Sequence, residues 1–386
     1  MHPFEFHTTP GLIVQPGAVA RLATLASRRL GPRVLLVTDP GLERLGLHRA
    51  ALADLTAAGH AVTVFAQVEA DPSHATLMDA VAAGRGAGVT GVLGFGGGSS
   101  LDVAKLAALL LGSDQDLDGA WGVGNARGPR LPLVLVPTTA GTGSEVTPIA
   151  IITVAGGEKR GVSSPVILPD LAVLDADLTL TLPPAVTAAT GMDAMVHAIE
   201  AHSSASPNNN PLSRMLADQA MRLLAANIET AVHRGNDRDA RGAMLLGSLL
   251  AGQAFANSPV AAVHALAYPL GGLFHIPHGL SNALVLPHVM RFTLPAAAPA
   301  YAALAPAFDA SLAGMADDTR RAGAFTDGLA ALSARLGLPQ RLRDAGVPRD
   351  ALPRLAENAM KQTRLLVNNP RPVTQEDALA IYEAAW

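Results

Sequence analysis

The chain has 386 residues, more than one hydrophobic core usually organises, so we expect two domains. Charged residues make up only 16% and the formal net charge is −4, which argues against binding to nucleic acid or to an anionic membrane. The absence of cysteine excludes disulfides, thiolate catalysis, Cys-bound zinc and iron–sulfur clusters. The N-terminus lacks the features of a signal peptide, and no apolar run could span a bilayer. These features predict a soluble cytoplasmic protein with a small-molecule partner.

The first half of the chain alternates short apolar runs with amphipathic stretches. The predicted strands are residues 34–37, 61–65, 89–95 and 133–136, and the predicted helices are residues 42–58, 74–84 and 101–111. This alternation is typical of a mostly parallel sheet that is covered on both faces. Gly156 and Gly157 lie between two further strand-like runs, 149–154 and 159–164, and predict a hairpin.

The pattern changes after about Leu182, where strand signals largely vanish. Stretches rich in strong helix formers follow, at residues 212–233, 238–256, 300–316 and 319–336. Pro183 and Pro184 mark the predicted boundary between an α/β domain of residues 1–182 and a helical domain of residues 183–386. The predicted fold class is therefore α/β plus all-α.

Two loops that follow predicted strands have the composition of phosphate-binding loops. The first contains Gly97, Gly98 and Ser99 and opens a helix, where exposed N–H groups and the helix dipole favour a phosphate. The second contains Thr138, Thr139, Thr142 and Ser144, at the strand edge where open α/β sheets bind ligands. An ordinary turn or polar loop remains the alternative for each loop by itself.

Asp39 ends the first predicted strand. A carboxylate at this point can accept hydrogen bonds from a ribose and repel a 2′-phosphate. The same residue can simply cap a helix, so both readings stay open.

Asp193 and His197 are four residues apart in a predicted helix, 191–201, which places both on one face. His264 lies in an apolar helical stretch, and His275 and His278 flank Pro277 in a predicted helix-entry loop. Each histidine taken alone is explained as a core or structural residue. Together they form a nitrogen-rich set with one carboxylate, which suits Fe²⁺, Zn²⁺ or Mn²⁺ rather than Ca²⁺ or Mg²⁺.

Taken in order, these motifs resemble the iron-containing (group III) alcohol dehydrogenase family. The likeness runs from about Phe4 to the C-terminal region. Its motifs are residues 96–99 with Asp102 and Lys105, and residues 137–145, 191–200, 264–272, 277–279 and 286–288. Several separated motifs in the same order are far more specific than any one of them.

The resemblance implies a Rossmann-like N-terminal domain and an all-helical C-terminal domain, as in dehydroquinate synthase, with cofactor and metal between them. It implies Fe²⁺, with Zn²⁺ or Mn²⁺ as alternatives, and the implied ligands are Asp193, His197, His264 and His278. Asp39 implies NAD rather than NADP. The other implied cofactor residues are Asp71, Gly97, Gly98, Ser99, Asp102, Thr138, Thr139, Thr142, Ser144 and Lys159. The family also forms homodimers or larger homo-oligomers.

The sequence departs from the family at Tyr268, where many relatives have a second histidine that faces the nicotinamide. A phenol can still donate a proton, although it titrates far higher than an imidazole. His275 is the alternative donor. The expected catalytic residues are therefore His278, Tyr268 and His275.

The predicted function is metal-dependent hydride transfer between a small primary alcohol or diol and a nicotinamide cofactor. Rivals with the same fold are maleylacetate reductase, a hydroxyacid–oxoacid transhydrogenase, glycerol dehydrogenase and dehydroquinate synthase. A catalytically inactive NAD-binding protein is a remote alternative. Turnover of simple alcohols with NAD would separate these hypotheses.

Overall fold

The computed structural model describes residues 2–386, apart from the side chains of Ser27 and Arg28. The chain divides into two compact units. One unit runs from His7 to Leu180. The other comprises Thr181–Trp386 together with the segment that ends at Phe6. In that segment the Glu5 N–H donates to Asn208 Oδ1 at 2.9 Å, so the start of the chain belongs with the helices rather than with the sheet.

The first unit is built on a six-stranded parallel sheet. Over residues 7–180 the whole unit contains nine strands, six in this sheet and three in a smaller one. In chain order they are β1 (Leu12–Val14), β2 (Arg33–Val37), β3 (Ala61–Phe65), β4 (Gly91–Gly96), β5 (Gly122–Val123), β6 (Leu133–Pro137), β7 (Ile149–Thr153), β8 (Lys159–Ser163) and β9 (Leu171–Leu174). The sheet order is β1-β9-β6-β4-β2-β3, and every paired neighbour is parallel. The helices of this unit are α1 (Leu22–Leu30), α2 (Pro40–Leu45), α3 (Arg49–Ala57), α4 (His74–Gly86) and α5 (Gly98–Gly112).

Both faces of the sheet are buried. Successive residues of β2 enter two separate cores, with Val34 and Leu36 on one face and Leu35 and Val37 on the other. Strands that are covered on both sides read as continuous apolar runs, which is why they were visible in the sequence. The predicted parallel sheet covered on both faces is confirmed.

A smaller three-stranded sheet contains β5, β8 and β7. Strands β7 and β8 pair in antiparallel fashion, with Ile149 opposite Ser163 and Thr153 opposite Lys159. Gly156 and Gly157 turn the chain between them with positive φ values of 82° and 78°. The predicted hairpin is confirmed.

Several elements of this unit differ from the prediction. The predicted helix 42–58 is two helices, because Gly46 adopts the left-handed conformation (φ 68°) and ends α2. Strands β1, β5 and β9 were not predicted. They have only two to four residues each, too few for a periodic pattern to stand out.

The second unit is helical, as predicted. Over residues 181–386 its α-helices are α6 (Pro184–Ser203), α7 (Pro211–His233), α8 (Arg238–Asn257), α9 (Ala262–Phe274), α10 (His278–Phe308), α11 (Asp318–Arg335), α12 (Leu352–Ala359), α13 (Thr363–Leu366) and α14 (Gln375–Ala385). Helix α6 packs against α7, α8 and α10. Among the described residues, no helix is both long and apolar enough to cross a membrane.

Helix α10 corrects the predicted helix 300–316. It starts at His278, runs for 31 residues and contains Pro287, Pro295, Pro299 and Pro306. Each proline removes one backbone donor, which makes a long helix hard to predict from local sequence. Burial against α6, α9 and α11 compensates, because most helix stability in proteins comes from packing.

Candidate metal centre and cofactor loops

Helix α6 presents three polar side chains on one face. Asp193, His197 and Glu200 follow the spacing i, i+4, i+7, and all three are at least 95% buried. The surrounding positions of α6 are apolar and pack into the helical core. Buried charged groups are costly unless they are paired, so this face must find its partners on other helices.

Two of those partners are histidines at the starts of α9 and α10. His264 is the third residue of α9, and His278 is the first residue of α10. Asp193 Oδ1 lies 3.8 Å from His264 Nε2 and 3.6 Å from His278 Nε2. One ligand atom from each of these three residues therefore falls within a sphere small enough for a single ion.

His197 completes the cluster. Its Nε2 lies 3.0 Å from His264 Nε2, and its ring stacks on Phe255 with centroids 4.3 Å apart. Of the four side chains that the sequence suggested as metal ligands, Asp193, His264 and His278 thus surround one point, and His197 contacts His264 beside it. We call Asp193, His197, His264 and His278 the α6–α9–α10 cluster.

The spacing of the Asp193, His264 and His278 ligand atoms fits one metal ion. Two ligand atoms that are each about 2.1 Å from the same ion lie roughly 3.0–3.5 Å apart. The separations within the cluster are 3.0, 3.6 and 3.8 Å. Small side-chain adjustments would close the difference, so the donor geometry is compatible with Fe²⁺, Zn²⁺ or Mn²⁺.

The protonation states also fit a cation. Burial by itself raises the pKa of Asp193, but the neighbouring histidines and the Asn282 amide lower it more, so its pKa ends below the usual value. Burial lowers the pKa of His264 well below its usual value, and His197 and His278 lower it further. An ionised carboxylate and a neutral imidazole both offer lone pairs to a metal.

Asn282, which the sequence analysis missed, lies inside this cluster. It follows His278 by one helical turn and is fully buried. Its Nδ2 donates to Asp193 Oδ1 at 2.6 Å and lies 3.3 Å from both His264 Nε2 and His278 Nε2. Its Oδ1 has no hydrogen-bond partner among the described residues, although it is buried. The i, i+4 spacing from His278 was the available signal.

Glu200 is the second residue that was missed. Its Oε1 accepts the Val263 N–H at 2.7 Å, and its Oε2 lies 2.6 Å from His264 Nδ1. Burial raises the pKa of Glu200 to about 7, although the N–H groups of Ala261 and Val263 oppose this. Glu200 belongs to a sequence motif of the resemblance, but its partner could not be read from spacing alone.

A glycine allows α10 to approach α6. A Cβ atom on Gly279 would lie 2.3 Å from the carbonyl oxygen of Ala189, closer than real Cβ contacts come. Gly279 follows His278 directly, so this contact holds the start of α10 against α6 and brings His278 near Asp193.

The two candidate proton donors have different surroundings. The Tyr268 ring lies 5.8 Å from the His278 ring and 6.5 Å, edge-on, from the His264 ring. His275 instead caps the C-terminus of α9 with a left-handed backbone (φ 54°), and its side chain is exposed. Tyr268 therefore borders the α6–α9–α10 cluster, whereas His275 does not belong to it.

In the first unit, the two predicted phosphate-binding loops meet at one edge of the sheet. They follow the neighbouring parallel strands β4 and β6, which end with Gly96 opposite Pro137. Gly97 is the N-cap of α5, so Gly98 and Ser99 form its first turn. A Cβ atom on Gly98 would lie 2.8 Å from the Thr142 side chain, and Gly97 lies beside Thr139. The loops are therefore in contact, with free helix N–H groups at the junction.

A buried polar network fixes the second loop to α5. Ser144 Oγ donates to Asp102 Oδ1 at 2.6 Å, and Lys105 Nζ donates to Ser144 Oγ at 2.8 Å and to the Ile149 carbonyl at 2.7 Å. Burial lowers the pKa of Lys105 to about 8 and raises that of Glu145 to about 7. Thr138 is buried as well. Asp102 and Ser144, both predicted to bind cofactor, thus form hydrogen bonds with other groups of the protein.

The remaining predicted cofactor residues also have protein partners. Asp39 is the N-cap of α2, and its Oδ1 accepts the N–H groups of Gly41 and Leu42. Asp71, with a left-handed backbone (φ 54°), pairs with Lys159 across 2.6 Å. For Asp39 the helix-capping reading is the one that the structure shows directly.

Comparison with known proteins identifies the family. Residues 10–176 match the family model for iron-containing alcohol dehydrogenase, and residues 187–386 match the model for the C-terminal part of the Fe-containing alcohol dehydrogenase family. The chain belongs to the iron-containing alcohol dehydrogenase family. It is an oxidoreductase of that family, and the resemblance drawn from its motifs is confirmed.

Individual relatives in the iron-containing alcohol dehydrogenase family match along nearly the whole chain. Long-chain-alcohol dehydrogenase 1 of Geobacillus thermodenitrificans is 40% identical over 373 residues, which is 96% of this chain and 93% of the relative. A crystal structure of 1,3-propanediol oxidoreductase superposes with a TM-score of 0.95 at 35% identity, covering 100% of both chains. Sulfoacetaldehyde reductase from Bifidobacterium kashiwanohense, solved in complex with NAD+, has a TM-score of 0.88 at 26% identity and covers 100% of this chain and 99% of its own.

Proposed function

We propose that this chain is a metal-dependent alcohol dehydrogenase or aldehyde reductase that transfers a hydride between small primary alcohols or diols and NAD. The observation that carries the proposal is the α6–α9–α10 cluster. One carboxylate and three imidazoles lie together there, and Asp193, His197 and His264 are buried, which is a costly arrangement that a bound cation would stabilise.

We assign Asp193, His197, His264 and His278 as ligands of Fe²⁺, with Zn²⁺ or Mn²⁺ as alternatives. The chemistry that such an ion supplies is Lewis-acid polarisation of the substrate oxygen. The chain's own contribution is to hold Asp193 Oδ1 3.8 Å from His264 Nε2 and 3.6 Å from His278 Nε2, with His197 Nε2 3.0 Å from His264 Nε2. His278, with its side chain 31% exposed, is the most accessible of the four, so substrate is proposed to arrive on its side.

Tyr268 is proposed to contact the substrate at that same side. Its ring borders both His264 and His278, and its hydroxyl can donate a hydrogen bond to the substrate oxygen. The exposed position of His275 supports a surface role for that residue instead.

The proposed NAD site uses the two touching loops of the first unit. Gly97, Gly98 and Ser99 offer N–H groups for the pyrophosphate at the start of α5. Thr138, Thr139 and Thr142 are proposed to line the cofactor, and Asp102 and Ser144 to hold the second loop in place. Asp39 and Lys159 are proposed to face the ribose, and Asp71 to lie along the adenosine half of the cofactor. This assignment follows the family motifs together with the observed contact between the loops.

The test is an assay of NAD reduction with a panel of short primary alcohols and diols, using protein that has been stripped of metal and then reloaded. We expect turnover to return with Fe²⁺, Zn²⁺ or Mn²⁺ and to be absent without them. If no metal supports turnover of any alcohol, or of the matching aldehydes with NADH, the proposal fails, and paired hydroxyacid–oxoacid exchange becomes the leading alternative. Sedimentation velocity on the reloaded protein tests the homodimer or larger homo-oligomer that the family resemblance supports.

A further inference from the structure

Glu200 is a buried carboxylate for which metal binding has no direct use. It lies one turn beyond His197 on the same face of α6 and is 4% exposed. Both of its oxygens are engaged, one by the Val263 N–H and the other by His264 Nδ1. A carboxylate whose two oxygens are both hydrogen-bonded cannot turn towards the cluster without breaking a buried hydrogen bond.

We propose that Glu200 is a positioning residue that locks His264 in the tautomer with its proton on Nδ1, so that the Nε2 lone pair faces the other metal ligands. The proposal rests on the metal role proposed above. It concerns which nitrogen of His264 can bind the ion, not which residues do.

The hydrogen-bond inventory supports this tautomer. Asn282 Nδ2 carries N–H donors and lies 3.3 Å from His264 Nε2, so Nε2 is the acceptor of the ring, and the 2.6 Å contact between Glu200 Oε2 and Nδ1 takes the ring N–H. A neutral imidazole carries one proton, which leaves Nε2 as an acceptor. That Nε2 atom is the one that lies 3.0 Å from His197 Nε2 and 3.8 Å from Asp193 Oδ1.

The backbone makes the orientation rigid. Val263 precedes His264 directly, so Glu200 grips the first turn of α9 through one N–H and through the next side chain. The imidazole therefore cannot rotate about χ2 without losing Glu200. Partners of this kind around metal-binding histidines fix the ring and raise its basicity, and their loss typically weakens metal binding by about 10- to 100-fold.

The discriminating substitution is Glu200→Gln, which keeps the shape and removes one acceptor. If its oxygen accepts the Val263 N–H, its NH₂ faces His264 Nδ1 and forces the proton onto Nε2. If the amide is reversed, its NH₂ faces the Val263 N–H, and two donors collide. Only the first orientation satisfies both partners, and it does so with the proton on Nε2, so Gln cannot hold His264 in the tautomer that Glu holds.

The experiment measures the Kd of the full-length protein for Co²⁺ and Zn²⁺ by chelator competition, together with the visible spectrum of the Co²⁺-saturated protein. For Glu200→Gln we expect Kd to rise about 10- to 100-fold and the Co²⁺ spectrum to change, because one nitrogen is presented wrongly. The matched control is Glu229→Gln, the same change at an exposed ion pair with Arg335 in the same unit, and it should match the wild type.

A purely structural role for Glu200 would lower thermal stability but leave the spectrum of the saturated site unchanged, and that result overturns the proposal. So does a Kd within threefold of the wild type. If even the wild type binds neither ion, the proposed metal function fails, and the tautomer proposal fails with it.

If the Glu200→Gln protein does not fold, ¹⁵N-histidine labelling of the wild type decides the question. We expect the His264 signal, assigned with His264→Gln, to show a protonated Nδ1 both with and without Zn²⁺. A protonated Nε2 in the metal-free protein overturns the proposal.

Discussion

The two candidate sites of this protein are built on opposite principles. At the junction of the two loops in the first unit, the available groups are backbone N–H groups at the start of α5, and a glycine provides the space. In the α6–α9–α10 cluster every donor is a side chain, and those of Asp193, His197 and His264 are buried. The first kind of site should fail when an atom is added, and the second when an atom is removed or its charge is lost.

Asp193→Asn should have the largest effect, because it removes the only negative charge of the cluster with little change of shape. Loss of an outer partner of a metal ligand typically costs about 10- to 100-fold in affinity, so loss of a charged ligand should cost more than about 100-fold. The measurement is metal content after dialysis, together with the Kd for Zn²⁺. Asp218→Asn, at the exposed pair with Arg222 on α7, is the control and should keep its metal. Unchanged metal binding by Asp193→Asn would remove the cluster from consideration.

Glu145 tests whether the first unit also depends on a buried charge. Burial raises its pKa from about 4.5 in the unfolded chain to about 7, although Lys105 opposes the shift. The folded state therefore binds its proton more tightly, and the free energy of unfolding falls as the pH rises from about 4.5 to 7. Glu145→Gln should abolish up to about 3 kcal/mol of this dependence.

Denaturant unfolding at several pH values measures this effect as the difference between wild type and variant. Glu158→Gln, at an exposed position of the same unit, should follow the wild-type curve. Parallel curves for wild type and Glu145→Gln between pH 4.5 and 7 would show that Glu145 is already ionised in the fold.

Gly98→Ala adds one carbon where the loops touch. The new Cβ would lie 2.8 Å from Thr142, and strain of this kind typically costs about 1–3 kcal/mol. We expect NAD binding to weaken about 10-fold or more, with metal content unchanged, as measured by calorimetry. Gly86→Ala in α4 has open space around it and is the control. Adding Thr142→Ala should restore part of the affinity, and failure of this rescue would place the cause elsewhere.

Asp39→Asn should have the smallest effect. Asparagine caps helices as well as aspartate does, so α2 and the stability of the fold should be preserved. The missing charge should raise NADP affinity relative to NAD by about fivefold, the equivalent of about 1 kcal/mol between charges in water. The ratio of kcat/KM with the two cofactors measures this. An unchanged ratio would leave Asp39 as a helix cap alone.

The sequence showed the sheet and the metal ligands for different reasons. Strands β2, β4 and β6 are buried on both faces, so their apolar runs were legible, whereas the three-residue edge strand β1 was not. Asp193 and His197 were visible through helical spacing and a family motif. The pairing of Glu200 with His264 was not, because it depends on how α6 meets α9, across 64 residues of chain.

The prolines of α10 show a limit of the same kind. Pro287 and Pro295 read locally as helix breakers, yet both lie inside one helix. The packing of α10 against other helices stabilises it despite the prolines, and this packing cannot be read from the local sequence. Asp39 was ambiguous for another reason, since a carboxylate at a strand end serves a ribose or a helix equally well.

Because Gly279 sets how closely α10 approaches α6, metal binding by the α6–α9–α10 cluster should depend on the spacing of these helices. Asp193 lies on α6 and His278 on α10, and the separation of the two helices is set where Gly279 meets Ala189. A substitution that moves these helices apart, even several turns away, should first reduce metal retention, although the ligand residues themselves are unchanged. Metal retention across a set of core variants would therefore show which substitutions preserve the spacing between α6 and α10.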